Sequence, residues 1–224
     1  MTTKQFLEMQ RELLSVLPGF AVGKRLLYAR CPKYVLRGLC FDGSNFDKKA
    51  FYVNVFAMPL YVPHEYLAFT ICERLRSEKG GDRWNIGMPK IVESLQAAIK
   101  DQAVPFLGRV SNLQSFCDQL GKRSHDNPNI TVANAFGLVL LGKEFLARQL
   151  MEELVLRLDF NVGWQRTIAD RVGLIKAKLN DGGDRARQQL ELWAIETLER
   201  IDVRPGNQIM PHDGHGNTQV QEQL

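Results

Sequence analysis

The feature that most constrains this chain is the run AFYVNVFAM at residues 50–58, which is apolar at odd and even positions alike except at Asn54. A strand with one wet face alternates apolar and polar residues, so a run apolar on both faces has to be covered from both sides. It therefore belongs in the middle of a sheet with other elements packed over it. Pro59 and Pro63 end it, because proline gives a ladder no N–H. Asn54 must find hydrogen-bond partners inside this strand, as the wall of a pocket or the support of a loop.

The neighbouring strands are predicted from period-two alternation. Phe20, Val22, Leu26 and Tyr28 share one face of a first strand. Val35, Leu39 and Phe41 fit a second, beyond a break at Cys31-Pro32, and Asp42-Gly43 supplies the turn before the central run. Residues 66–76 carry both periods: Leu67, Phe69 and Ile71 alternate like a strand, while Ala68, Cys72 and Leu75 recur like a helix. We read them as strand. The result is an antiparallel meander of three or four strands.

Helical periodicity brackets that sheet. Phe6, Leu7, Leu13, Leu14 and Leu17 make residues 3–17 an amphipathic helix stopped by Pro18-Gly19. Pro89 opens another, with Ile91, Leu95, Ala98, Ile99 and Ala103 on one stripe, and Pro105 is expected to break it. Ser111 is expected to cap a short helix through Leu120. The polar run at residues 121–129 marks a boundary between subdomains. Beyond it, residues 133–141 turn at Gly142 into a helix with Leu146, Leu150, Leu154 and Leu158 on one face. Trp164, Ile168, Val172, Ile175 and Leu179 form a second stripe, and Ala186, Leu190, Trp193, Thr197, Leu198 and Ile201 a third. The fold class is thus α+β: an antiparallel sheet with flanking helices over residues 1–120, an all-helical C-terminal subdomain over 129–204, and a disordered polar tail over 205–224.

Composition excludes several classes. No apolar run approaches the ~20 residues a bilayer-spanning helix needs, so no membrane span is expected. Residues 1–17 carry glutamates and do not read as a secretory signal, which places the protein in the cytoplasm. In that compartment Cys31, Cys40, Cys72 and Cys117 read as buried free thiols. Charge is uneven: residues 1–60 hold nine Lys/Arg against four Asp/Glu, although the whole chain is only +4. Lys24, Arg25, Arg30, Lys33 and Arg37 could meet a phosphate backbone, with Tyr28, Tyr34 and Phe46 among them as a stacking platform.

FYVNVF at residues 51–56, GGDRWNI at 80–86 and PFL at 105–107 together resemble a bacterial domain family of unknown function over roughly residues 17–120. The family brings no activity or catalytic residues with it. The segment LVLLGKEFLARQLMEELVLRL at 138–158 resembles the paired helices of helical-repeat scaffolds. With one such pair where a solenoid needs about three, it implies a helical packing unit.

A search for chemistry finds little. GLVLLGKE at residues 137–144 is close to a phosphate-binding loop, but Glu144 stands where a Ser or Thr hydroxyl must reach Mg²⁺, and a helix ending at Gly142 explains the run better. His64-Glu65, His125-Asp126, His212 and His215 form no ligand cluster with usable spacing, so neither metal nor cofactor is expected. Glu152-Glu153 and Glu191, Glu196 and Glu199 read as wet helix faces. Arg83, Trp84 and Asn85, following two glycines, join a cation, a large aromatic and an amide on a loop end. With Asn54 they form the candidate partner-binding set, because Trp and Arg dominate interface hot spots, though Trp84 equally suits a core anchor. The expected function is a non-catalytic interaction or accessory protein with a protein partner, such as a bacterial immunity or defence component. The alternatives are a nucleic-acid-binding module on the basic strands and an enzyme whose site assembles only in three dimensions.

Overall fold

A computed structural model describes residues 3–78, 80–123 and 127–201. The expected tail with His212 and His215, and the pair His125-Asp126, lie outside the described residues.

Helix α1 (Thr3–Leu13) and a short 3₁₀ turn (Leu14–Val16) lead into strands β1 (Phe20–Gly23), β2 (Leu26–Ala29), β3 (Val35–Gly43), β4 (Ala50–Pro59), β5 (Ile71–Arg74) and β6 (Trp84–Asn85). The sheet is antiparallel in the order β1-β2-β3-β4-β5, and β6 pairs with β4 on the same side as β5. The α+β class and the meander are as expected, with more strands than the alternation disclosed.

The first difference lies at residues 20–28. These form two strands around a hairpin at Lys24 and Arg25, with Lys24 at φ 45°. Gly23 opposes Leu26 and Val22 opposes Leu27. Phe20 and Val22 therefore share a face with Leu27, and Leu26 and Tyr28 lie on the other. A two-residue loop shifts the parity of the second strand, so alternation across it cannot assign faces.

Other expectations move by a few residues for local reasons. β3 continues through Asp42 and Gly43, and the reversal falls at residues 44–49, where the Ser44 hydroxyl accepts the Phe46 and Asp47 N–H groups. Only Ile71–Arg74 of the segment 66–76 is strand. Pro105 does not break its helix. Helix α2 (Ile91–Ala98) widens into a π turn (Ile99–Ala103) and continues as α3 (Val104–Arg109), with Pro105 in the first turn of α3, where its missing N–H costs little. Helix α4 (Leu113–Gly121) is capped by Asn112, which exchanges hydrogen bonds with Ser115 in a capping box, rather than by Ser111.

One face of the sheet is sealed by α1, α2 and α3. Phe6, Phe41 and Phe51 form an aromatic cluster with centroids 5.8–6.5 Å apart, and Leu13, Val53, Leu95 and Phe106 are buried with them. The opposite face is covered at one end by residues 61–70, where Phe69 stacks on Phe56 at 4.6 Å. Toward β5 that face is more open, and Cys40, Tyr52 and Cys72 are half-buried.

Helices α5 (Pro128–Leu140), α6 (Glu144–Leu156), α7 (Gly163–Asn180) and α8 (Gly183–Arg200) complete the described residues. Residues 131–137 of α5 are all buried, which is why its sequence shows no polar face: α4, α6, α7 and α8 surround it. Gly137 allows the closest approach, since a Cβ there would lie 2.4 Å from Cys117 Sγ and 2.8 Å from Tyr61 Oη. The glycine of the near-miss phosphate loop is thus a packing residue, and Gly142 at φ 73° ends the helix. Leu146 and Trp164 of the expected stripes are exposed: α6 turns Ala147 and Met151 inward beside the expected Leu150 and Leu154, and Trp164 stands in the first turn of α7. Buried side chains form one cluster from Phe6 to Ala194, and Tyr61 Oη donates to the Ala133 carbonyl at 2.9 Å across the two halves.

All four cysteines are free, but only Cys117 is buried; Cys31 is exposed at φ 52° in the turn after β2. Among the described residues no helix is long and apolar enough to cross a membrane.

Candidate functional site

A concavity beside β5 follows from how β4 is flanked. β5 and β6 run along the same side of β4 and are antiparallel to it, as one strand interrupted by the excursion of residues 75–83. Turn bonds from Gly80 N to Ser77 O and from Ser77 N to Gly81 O shape the excursion, with Gly80 at φ 84°. Trp84 closes its base from beneath: it is 0% exposed, and its Nε1 donates to the Leu75 carbonyl at 3.2 Å. Between the excursion and the π turn opens a cleft of about 840 Å³.

Charged side chains line its walls. Arg74 pairs with Asp82 at 2.8 Å and stacks over the Tyr52 ring at 4.6 Å. Arg109 reaches Glu73 at 3.2 Å, and Arg76 and Asp101 complete the rim around a floor that includes Val55, Leu75 and Pro105. The Arg74 guanidinium holds the Asp82 carboxyl below its usual range, and Asp82 raises Arg74 in return. Both are held in their charged forms, the opposite of the tuning a proton-transferring carboxyl needs.

Gln102, in the π turn, performs the most specific task. Its Oε1 accepts the Arg76 N–H at 2.9 Å and its Nε2 donates to the Arg76 carbonyl at 2.8 Å. A side-chain amide thus pairs with the backbone as a neighbouring strand would. A π turn widens the helix and re-aims side chains, and such turns recur at functional positions.

The candidate partner-binding residues do not form one surface. Arg83 is exposed and ion-paired to Asp47. Trp84 is in the core, so its hot-spot role is corrected to that of an anchor, because the ring fills the space under the excursion. The Asn85 Oδ1 accepts the Gly87 N–H at 2.8 Å and shapes its own turn. Asn54 lies on the other face of the sheet, buried, with Cys72 Sγ 3.9 Å from its Oδ1. Arg83, Trp84 and Asn85 do stand next to the cleft in sequence, but the residues lining it are Arg74, Arg76, Asp82, Gln102 and Arg109. Of these, Asp82 falls in the GGDRWNI segment and Arg74 and Arg76 in the segment read as strand, but none is a candidate site residue read from the sequence. Gln102 pairs with a residue 26 positions away and leaves no local pattern to detect.

The basic set is divided. Lys24 and Arg25 sit on the β1-β2 hairpin, at the end of the sheet where the Phe41 N–H bonds to the Arg25 carbonyl. Arg30 and Lys33 are at the other end. Arg30 Nε donates to the Phe20 carbonyl at 3.1 Å, Arg37 Nη1 to the Leu107 carbonyl at 2.9 Å, and Lys33 lies 3.7 Å from Glu191. Burial without a carboxylate partner lowers the Arg37 pKa. The expected stacking platform is dispersed as well: Tyr28 is buried, Tyr34 donates to Glu191, and Phe46 is alone in the reversal at 44–49.

Elsewhere, burial and nearby Arg171 hold His64 below its ordinary range, and burial pushes the Cys40 thiol up to about 11. Among the described residues no three His, Cys, Asp or Glu side chains are placed to hold a metal ion. Comparison with protein-family models, with curated proteins and with solved structures finds no match for this chain.

Proposed function

We propose that this chain is a non-catalytic protein-interaction or accessory protein whose partner docks at the cleft beside β5. The observation that carries the reading is the lining of that cleft: Arg74 paired with Asp82 and Arg109 with Glu73 around a small apolar floor, with no His, Cys, Ser or Lys among the described residues that line it. Guanidinium groups fixed by neighbouring carboxylates present donors in set positions to an incoming polypeptide, as Arg-rich interface centres do. A bacterial immunity or defence component would be one instance of such a protein. The nucleic-acid reading draws no comparable support, since Arg30, Lys33 and Arg37 are engaged within the fold and Lys24 is not free either.

Affinity capture from the source cells tests this, with Arg76→Glu and Arg109→Glu as cleft variants and Lys24→Glu/Arg25→Glu as the hairpin variant. The expected result is a protein retained by the unaltered chain and the hairpin variant and lost by both cleft variants at unchanged melting temperature. Loss in the hairpin variant alone, together with sensitivity to nuclease, would overturn the proposal in favour of nucleic acid.

A further inference from the structure

The sheet ends at β5, and its outer edge is only partly occupied. Leu75 N bonds to Val53 O, and the register runs from Asn54 opposite Arg74 to Ala57 opposite Ile71. In an antiparallel ladder such bonds join alternate pairs, so Ile71, Glu73 and Leu75 bond to β4 while Cys72 and Arg74 aim their N–H and C=O groups outward. Arg76, the next outward residue, is the one taken by Gln102. Among the described residues nothing bonds to the outward groups of Cys72 and Arg74.

From this we infer that β5 accepts an extended, acidic segment of a partner protein as an added strand, paired with Cys72 and Arg74 and ending where Gln102 stands. The inference rests on the reading of the cleft as a docking site and specifies what enters it. Strand addition supplies affinity through main-chain bonds and specificity through alternate side chains. Added residues opposite Cys72 and Arg74 lie on the side of the sheet that carries Arg74. Arg123 is close enough to act electrostatically on Cys72, and Arg76 continues the same alternation. That side carries Arg74, with Asp82 as its paired acid, and Arg76 next along the alternation, which favours Asp or Glu at alternate positions of the incoming strand. The intervening residue lies opposite Glu73, on the side where Val55, Leu75 and Pro105 floor the cleft and Arg109 holds the Glu73 carboxylate. A second copy of this chain fits less well, because the antiparallel register that uses both outward residues sets two Glu73 side chains opposite each other.

The test uses labelled peptides of about eight residues: one alternating Glu and Val, one alternating Lys and Val, and two Glu/Val versions methylated on alternate sets of backbone nitrogens. Fluorescence anisotropy should show the Glu/Val peptide binding, with the Lys/Val peptide weaker by roughly tenfold or more. The two methylated versions should differ, since only one set of nitrogens faces β5. Arg74→Pro removes an outward N–H and no bond to β4, so it should abolish binding, while Val22→Pro on the opposite edge should not. Should Arg74→Pro fail to fold, the methylated pair and Arg74→Glu decide the matter. Equal binding by both methylated peptides, no binding by the Glu/Val peptide, or a dimer of the free chain that Arg74→Glu dissociates would overturn the inference. If capture of the partner is lost in Arg109→Glu but survives Arg74→Pro, the docking cleft stands and strand addition falls. If neither variant affects capture, both fall.

Discussion

The two edges of the sheet handle the same problem differently. An edge strand carries a row of backbone groups that must be covered, left to water, or paired. At β1 the outward residues are Phe20 and Val22. Phe20 is closed on both counts, its N–H bonding to the Leu17 carbonyl and its carbonyl accepting from Arg30, and α1 packs alongside. At β5 the closure starts one step further on, at Arg76, and leaves the outward backbone groups of Cys72 and Arg74 open, Arg74 at the cleft. One edge is closed at Phe20 by its own flanking residues, with Val22 as its single further outward residue. The other is finished only beyond the point where a partner could add, and its supports lie at a distance, in Trp84 beneath and Gln102 beside it.

That contrast can be broken at either edge. The largest effect is expected from Trp84→Ala, which empties the space under the excursion and leaves the Leu75 carbonyl without its indole donor. A loss of about 3–5 kcal/mol in denaturant unfolding is expected, with β6 released from β4. Gln102→Ala should cost about 1–2 kcal/mol, because it deletes two hydrogen bonds to exposed backbone, and it should lengthen the free edge to three outward residues. Gln102→Glu should restore one of those bonds. At the opposite edge Arg30→Ala removes a single bond to Phe20 and should cost about 0.5–1 kcal/mol, with no effect on anything bound at β5.

The smallest effect is one of pH. Arg74 depresses the Asp82 pKa in the folded state, so the contribution of this pair is present above the ordinary carboxyl pKa of about 4 and fades as pH falls through the lower folded value. Both groups are solvent-exposed, so the change is slight and screened by salt. Comparing the acid limbs of the melting temperature for the unaltered chain and Arg74→Gln over about pH 2–5 should show a shallower limb in the variant.

Much of the architecture could be read from residue patterns because it depends on burial. The central strand at 50–58, the stripe of α2 and the inward faces of α7 and α8 are all fixed by which residues must leave water. What was missed depends on pairing rather than hydrophobicity. The hairpin at Lys24-Arg25 carries none of the Asn-Gly or Asp-Gly signals and changes strand parity without altering the alternation. The π turn absorbs Pro105 where a break is the simpler expectation. Trp84 sits beside Arg83 and two glycines, a context as fitting for a surface contact as for the core, and only the excursion above it decides between them. The candidate site was the least legible part. Its defining contact joins Gln102 to Arg76, and its open edge exists because β4 has three strands as neighbours.

Amide hydrogen exchange resolved by residue tests the central claim most directly, since it reads the edge without a variant. In the free protein the account predicts slow exchange at Ile71, Glu73 and Leu75, fast exchange at Cys72 and Arg74, and intermediate protection at Arg76, held by Gln102. Adding the Glu/Val peptide should slow Cys72 and Arg74 and leave Val22 unchanged. Uniform protection along residues 71–75 in the free chain, or slowing at Val22 in place of Cys72 and Arg74, would contradict it.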